Sequence, residues 1–294
     1  MDTLYSASMQ AYLAQIEAYL PTCLPEKDDL RNIVIEAMMY ACSAGGKRIR
    51  PVLTLECCRL CGGDTDSALP FAAAVEMIHS YSLIHDDLPC MDNSPLRRGK
   101  PSVHVAFGEN MALLAGDALL NRAFEVMLRS EAEPALIVAA AKTLADQAGI
   151  AGMVGGQVID LQSEGKRIPL DVLEQLQEGK TAALMIAACK MGAIIGKGTA
   201  VQIDAAAQFG REIGLGFQIV DDILDATVSV EELGKPVGND AAHEKSTYVT
   251  LLGLDKARTL AQERTQAAID ALSVFGVEAD SLRQLAQALL IRTH

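Results

Sequence analysis

Tryptophan is absent from the 294 residues, and aromatic side chains of every kind make up only 4% of them. Sheets draw on aromatic and β-branched residues, whereas the apolar half of this chain is rich in Ala, Leu, Ile and Met, which favours helices packed on helices. Basic residues are scarce as well: 25 Lys and Arg face 38 Asp and Glu, for a net charge of −13. A nucleic-acid binder needs a basic face to neutralise phosphates, so that class is excluded. No apolar run is long enough to span a bilayer. The longest, Thr181 to Gly196, is short and carries Lys190, as a core helix can. The start, Met1-Asp2-Thr3-Leu4-Tyr5, lacks the basic residues and apolar stretch of a signal peptide, which points to the cytoplasm. The seven cysteines are odd in number and scattered, and the lone Cys58-Arg-Leu-Cys61 has no second pair. Buried thiols in a reducing compartment are expected, without a disulfide framework or a zinc site.

No low-complexity linker or composition break divides the chain, so a single domain is expected over residues 1–294. Helical periodicity predicts helices near 2–20, 28–43, 50–61, 66–88, 110–130, 134–149, 151–164, 170–195, 202–225, 255–273 and 280–291. Pro51, Pro134 and Pro169 sit where a first turn tolerates a missing N–H, and Asp255 and Asp280 are expected N-caps. Two stretches resist a helical reading, Pro89–Pro101 and Ser229–Ser246. Each follows an aspartate cluster, an arrangement common where a loop closes over a ligand.

The first cluster is His85-Asp86-Asp87-Leu88-Pro89-Cys90-Met91-Asp92. Pro89 should end or kink the preceding helix, so Asp92 can swing back toward Asp86 without helical spacing. Acidic groups at a helix C-terminus oppose the helix dipole and invite a cation, although a solvated acidic end accounts for this cluster equally well by itself. The second cluster, Phe217-Gln218-Ile-Val-Asp221-Asp222-Ile-Leu-Asp225, changes the balance. Asp221 and Asp225 are four apart on one helix face, with Gln218 on that face too, among apolar neighbours where unpaired charge is costly. Hard oxygen ligands without His or Cys suit Mg²⁺, which keeps waters and takes its remaining ligands from phosphates. Two such clusters suggest several Mg²⁺ ions holding a polyphosphate.

Nine of the cations lie in glycine- or proline-punctuated segments: Lys47, Arg48, Arg50, Arg97, Arg98, Lys100, Lys180, Lys235 and Lys245. Gly45-Gly46-Lys47-Arg48-Ile49-Arg50-Pro51 is a flexible basic turn running into a helix start and able to offer donors to an anion. It lacks the GxxxxGK[ST] spacing and the preceding strand of a P-loop. Carboxylates with Mg²⁺ and surrounding cations can stabilise a diphosphate as it leaves. No Ser-His-Asp or Cys-His arrangement stands out, and the chemistry suggested is ionisation at the carbon that bears the diphosphate.

Taken in order, these motifs resemble those of the trans-isoprenyl diphosphate synthases, most closely the bacterial farnesyl type. The ordered set is Gly-Gly-Lys-Arg-Ile-Arg-Pro, His-Asp-Asp-Leu-Pro-x-Met-Asp, Leu-Arg-Arg-Gly-Lys-Pro, Gly155-Gly156-Gln157-x-x-Asp160, Gly179-Lys180-Thr181, Phe217-Gln218-x-x-Asp-Asp-x-x-Asp, Gly234-Lys235 and Lys245-Ser246-Thr247-Tyr248. The resemblance implies an all-α, single-domain multi-helix bundle around a deep central cavity, usually a homodimer. It implies that Asp86, Asp87, Asp92, Asp221 and Asp225 hold Mg²⁺, three ions in all with Mn²⁺ as a substitute, on an allylic diphosphate. Arg97, Lys180 and Lys235 would grip that diphosphate, and Lys47, Arg50, His79 and Arg98 would bind isopentenyl diphosphate. Thr181, Gln157 and Gln218 would lie near the developing allylic cation, and Lys245 would join the substrate-binding set. Only the residues after Asp92 depart from the pattern, with Asn93-Ser94-Pro95 where further Asp often stands.

Product length is read from the helix that ends at Asp86. At about 1.5 Å per residue, Tyr81 and Ser82 lie roughly 6–8 Å back along it, near the depth of one further isoprene unit. Helix geometry does not choose between them. The family pattern chooses Tyr81, an aromatic five residues before the first Asp, together with the Pro89–Cys90 insertion, and so implies a farnesyl (C15) product. The same-family alternative is a geranylgeranyl (C20) synthase. A rival of another class is a metal-dependent phosphohydrolase built on His79, His85-Asp86 and His104, which leaves the second Asp cluster unexplained. A terpene cyclase would usually carry Asn, Ser and Glu at the second cluster, and a non-catalytic synthase subunit would be expected to lose one cluster.

Overall fold

The structure, a computed structural model, describes residues 6–26, 30–227 and 246–291. The fold is all-α, with one two-residue-per-strand hairpin among the described residues. The chain groups into two compact units. One is Ser8–Lys142 with Met191–Lys197; the other is Thr143–Lys190 and Gly198–His294 with Met1–Ala7.

In the first unit, α1 (Ala7–Thr22), α2 (Asn32–Cys42), α3 (Ile49–Leu60) and α4 (Thr65–Asp86) precede the hairpin, and α5 (Val103–Phe107) and α6 (Glu109–Leu128) follow it. Helix α4 starts at Asp64, whose carboxylate accepts from the Asp66 N–H, and it lies along α6 and against α3. Its residues Phe71–Ile78 are all buried, Glu76 included, so this helix is wrapped on every side. The stretch Pro89–Pro101 is non-helical, as expected, and ends in strands β1 (Leu96–Arg97) and β2 (Lys100–Pro101). Its turn residues Arg98 and Gly99 both take positive φ, the geometry that lets a two-residue turn follow the strand twist.

The second unit holds α8 (Met153–Ser163), α9 (Leu170–Gln177), a π-turn (Glu178–Ala182), α11 (Ala200–Thr227), α12 (Tyr248–Leu252), α13 (Leu254–Ala271), a 3₁₀ segment (Leu272–Ala279) and α14 (Asp280–Ile291). Helices α7 (Pro134–Ala148) and α10 (Ala183–Ile195) each contribute residues to both units. Leu173, Ile219, Val220, Tyr248, Ala257 and Ala261 make a core where α9, α11, α12 and α13 meet.

Three local expectations are corrected. The run 170–195 is not one helix: the π-turn interrupts it at Gly179-Lys180-Thr181, a device frequent at functional sites. Asp255 is not an N-cap, because Gly253 at φ 81° enters α13 and Asp255 lies in its first turn. Asp280 does not cap either. The 3₁₀ segment runs straight into α14, and Asp280 instead accepts from Arg283 at 2.6 Å. The short helices α5 and α12 fall where no helix was expected, the latter set by a Thr247–Thr250 capping box.

Candidate active site

In the first unit, α4 delivers Asp86 and Asp87 at its C-terminal end. The chain then turns back: the Met91 and Asn93 N–H groups donate to Leu88 O at 2.9 and 3.1 Å, and the Asp92 N–H donates to Asp86 O at 2.9 Å. Asn93 takes φ 49°, a conformation Asn tolerates better than most residues. Asp92 therefore returns beside Asp86 without helical spacing. Asp87 differs from both. It is 2% exposed and its carboxylate receives the Arg97 guanidinium, with Nη2 at 2.5 Å and Nε at 3.1 Å. Burial works against the Arg97 charge, and Asp87, Asp86 and Asp92 outweigh it, holding Arg97 above the ordinary arginine range.

The basic turn splits into separate parts. Arg48 enters α3 at φ 49°, is 3% exposed, and donates to Glu17, Glu76 and the Cys42 carbonyl. It is a structural ion, so it leaves the set of cations available to an anion. Lys47 is exposed. Arg50 has a buried Nε without a hydrogen-bond partner, and burial lowers its pKa to about 10, with Glu76 opposing and Arg98 adding to the fall. Arg98 donates to the Gly45 carbonyl, which ties the hairpin to this turn. His79, on α4, is held well below the usual histidine range by burial and then by Arg50, Arg98, Arg48 and Arg97. With Arg48 committed to Glu17 and Glu76 and Arg97 to Asp87, the guanidinium groups of Arg50 and Arg98 beside an uncharged imidazole mark a place where an anion is favoured.

Tyr81 is 7% exposed, with its ring edge-on to His85 at 5.7 Å. Burial and the nearby Asp86 push its phenol pKa up. His85 contacts the Leu113 carbonyl at 3.1 Å, and a side chain at Gly116 would collide with its ring.

In the second unit, the π-turn carries Lys180 and Thr181. A Cβ on Gly156 would meet the Lys180 nitrogen at 2.1 Å, so only glycine lets α8 approach this turn. Lys180 Nζ pairs with Asp160 at 2.5 Å. The Thr181 hydroxyl donates to Gln218 Oε1 at 3.2 Å, and Gln177 Oε1 stands as a second acceptor at 3.3 Å. Arg211 on α11 grips Glu178, the first residue of the π-turn, through two bonds of 2.8 Å. Asp221 and Asp225 are half-buried on α11, whereas Asp222 is 4% exposed. Gln157 on α8 has a buried Nε2 without a partner. A cavity of about 190 Å³ is lined by Asp160, Lys180, Gln218, Asp222, Ser246 and Thr247. Lys235 and Lys245 lie outside the described residues.

Among the described residues, no three His, Cys, Asp or Glu side chains converge to hold a metal ion by themselves. The donor chemistry fits Mg²⁺ even so: the solvent-accessible carboxylates of Asp86 and Asp92, and again of Asp221 and Asp225, match an ion that takes one or two carboxylates and completes its shell with water and phosphate. Two residues escaped the sequence reading. Asp160, which the sequence offers only as part of a motif, holds Lys180. Asp222 looks like its neighbours in the sequence and differs from them only through burial.

Solved isoprenyl diphosphate synthases share this all-α fold. The FPP/GFPP synthase of Zymomonas mobilis matches with a TM-score of 0.87 and 42% identity, covering 96% of this chain and 97% of that one. The geranylgeranyl pyrophosphate synthetase of Pyrococcus horikoshii Ot3 matches with a TM-score of 0.90 and 32% identity, covering 97% and 98%. Among sequences, the chloroplastic geranylgeranyl pyrophosphate synthase of Capsicum annuum is 50% identical over 247 residues, which are 83% of this chain and 67% of the relative. The polyprenyl synthetase family profile matches residues 31–279, and the chain belongs to that family, whose members are prenyl transferases. No helix among the described residues is long and apolar enough to cross a membrane.

Proposed function

We propose that this enzyme joins isopentenyl diphosphate head to tail with allylic diphosphates and extends the chain to C20. The observation that carries the reaction is the return of Asp92 onto Asp86 beside a set of guanidinium groups that leaves His79 neutral. The name of the Capsicum relative supports the C20 product. Asp86 and Asp92, and separately Asp221 and Asp225, would hold Mg²⁺, which would supply positive charge to stabilise a departing diphosphate. Asp87 serves this site by orienting Arg97 on the diphosphate, with Lys180 and Lys235 as further grips and Lys245 beside them. Lys47, Arg50, Arg98 and neutral His79 bind isopentenyl diphosphate, whose double bond attacks the allylic cation. Thr181, Gln157 and Gln218 line the path of that cation, and the final proton passes to the released pyrophosphate.

The two diphosphate sites should separate in kinetics. Lys47→Ala or Arg50→Ala is expected to raise KM chiefly for isopentenyl diphosphate, and Lys235→Ala chiefly for the allylic substrate. Varying each substrate in turn checks this, and equal effects on both would count against the split.

A second reading of product length, C15, is favoured by Tyr81. Its ring is buried on α4 about 7 Å back from Asp86, at the depth where a bulky side chain would stop further growth. Chromatography of the products decides. A wild-type C20 product that Tyr81→Ala leaves unchanged supports the first reading. A wild-type C15 product that Tyr81→Ala shifts to C20 and longer supports the second. The exposed Val105, Leu113 and Leu114 on α5 and α6 suit a homodimer contact, and seven cysteines without a disulfide among them suit the cytosol.

A further inference from the structure

Asp222 is the middle carboxylate of the second cluster, yet it differs from its neighbours in kind. Its Oδ1 accepts from Gln218 Nε2 at 3.0 Å, one turn back on α11. Its Oδ2 accepts from the Tyr248 backbone N–H at 2.8 Å, at the first residue of α12. The Tyr248 side chain is 1% exposed, so this anchor lies in the core. An ionised carboxylate can only accept hydrogen bonds, and a primary amide has one accepting and one donating end. Asp222 therefore decides which end of Gln218 faces which way. The NH₂ must turn to the carboxylate, and Oε1 must turn to the Thr181 hydroxyl on the π-turn.

We propose that Asp222 is a positioning residue that fixes the polarity of the Gln218 amide, keeping its oxygen toward Thr181 and the reacting carbon. The proposal rests on the prenyl-transfer reading above. An amide oxygen beside a developing allylic cation stabilises it, whereas an amide NH₂ in the same place opposes it. Asp222 thus aids ionisation through Gln218, its two oxygens accepting from the Gln218 amide and from the Tyr248 N–H.

Asp222→Asn is a pointed test because it preserves the backbone anchor. The new amide oxygen can still accept from the Tyr248 N–H, which leaves its NH₂ facing Gln218. Gln218 must then flip, turning its own NH₂ toward Thr181, whose hydroxyl can donate to Gln177 instead. Adding Gln218→Glu restores an oxygen on both sides and returns the pair to its original net charge.

The variants are first compared in thermal unfolding, with and without Mg²⁺ and inorganic pyrophosphate. Prenyl transfer is then measured with geranyl diphosphate and isopentenyl diphosphate. The expected result is a fall in kcat of about 10- to 100-fold for D222N, little change in either KM, and recovery of most of the loss in D222N/Q218E. The stabilisation by Mg²⁺ and pyrophosphate should match wild type in all variants, since no metal ligand is removed. Loss of that stabilisation in D222N, or a double variant no faster than D222N, would overturn the proposal. A wild-type protein that forms no condensation product would instead overturn the prenyl-transfer reading, which the same assay reports separately.

Discussion

Asp86→Ala and Asp221→Ala should each lower turnover by several orders of magnitude while leaving the fold intact. Each aspartate is half-buried at the protein surface of its own helix, Asp86 closing α4 and Asp221 on α11, so neither holds up a core. Removing one stabilising group from a transition state typically reduces kcat by about 10²–10³, and a carboxylate that also retains a metal ion carries more. The two clusters sit on different helices in different segments of sequence, and neither can supply the ligands of the other. Single-turnover measurements at saturating Mg²⁺ provide the check, with circular dichroism confirming the helices. Near-normal turnover in either variant would show that its cluster is not part of the reaction.

The largest effect on stability is expected at Arg48. Its side chain is 1% exposed and bonds Glu76, itself 3% exposed, at 2.6 Å, with Glu17 at 2.7 Å and the Cys42 carbonyl alongside. Glu76 stands in the buried run of α4 among apolar neighbours. Arg48→Met leaves that carboxylate buried beside a neutral side chain, and breaking one partner of such a pair costs about 3–5 kcal/mol. Glu17 contributes little to this figure, because its side chain is 51% exposed and water can replace its partner. Adding Glu76→Met removes the stranded charge and should recover much of the loss, since the two residues share one interaction. Urea denaturation of the three variants measures both quantities. A single-variant loss below about 1 kcal/mol, the size of a surface pair, would refute the buried-pair account.

The helices were legible because their causes are local. The α4 and α11 patterns, the first-turn Pro134 and the break at Pro89 act within one or two turns of chain, and the return of Asp92 follows from that break. The π-turn was not legible. The residues 170–195 carry an uninterrupted helical pattern, and what disturbs it comes from elsewhere: Gly156 of α8 and Gly214 of α11 each bring backbone against Gly179–Ala182. The basic turn shows the same limit. Lys47, Arg48 and Arg50 look equivalent until Glu17 and Glu76 arrive from other helices and claim Arg48 for the fold. Asp222 likewise cannot be told from Asp221 until Tyr248, 26 positions away, presents its N–H. Side-chain identity names candidates for chemistry, and partners distant in sequence sort them into those that act and those that hold.

The most direct test of the central claim is the product formed from isopentenyl diphosphate with dimethylallyl, geranyl or farnesyl diphosphate in the presence of Mg²⁺. Prenyl diphosphates lengthened by whole five-carbon units, with one pyrophosphate released per unit, and abolished by EDTA and restored by Mg²⁺, are the predicted result. Release of phosphate or prenyl alcohol from the allylic substrate with no five-carbon addition would contradict it.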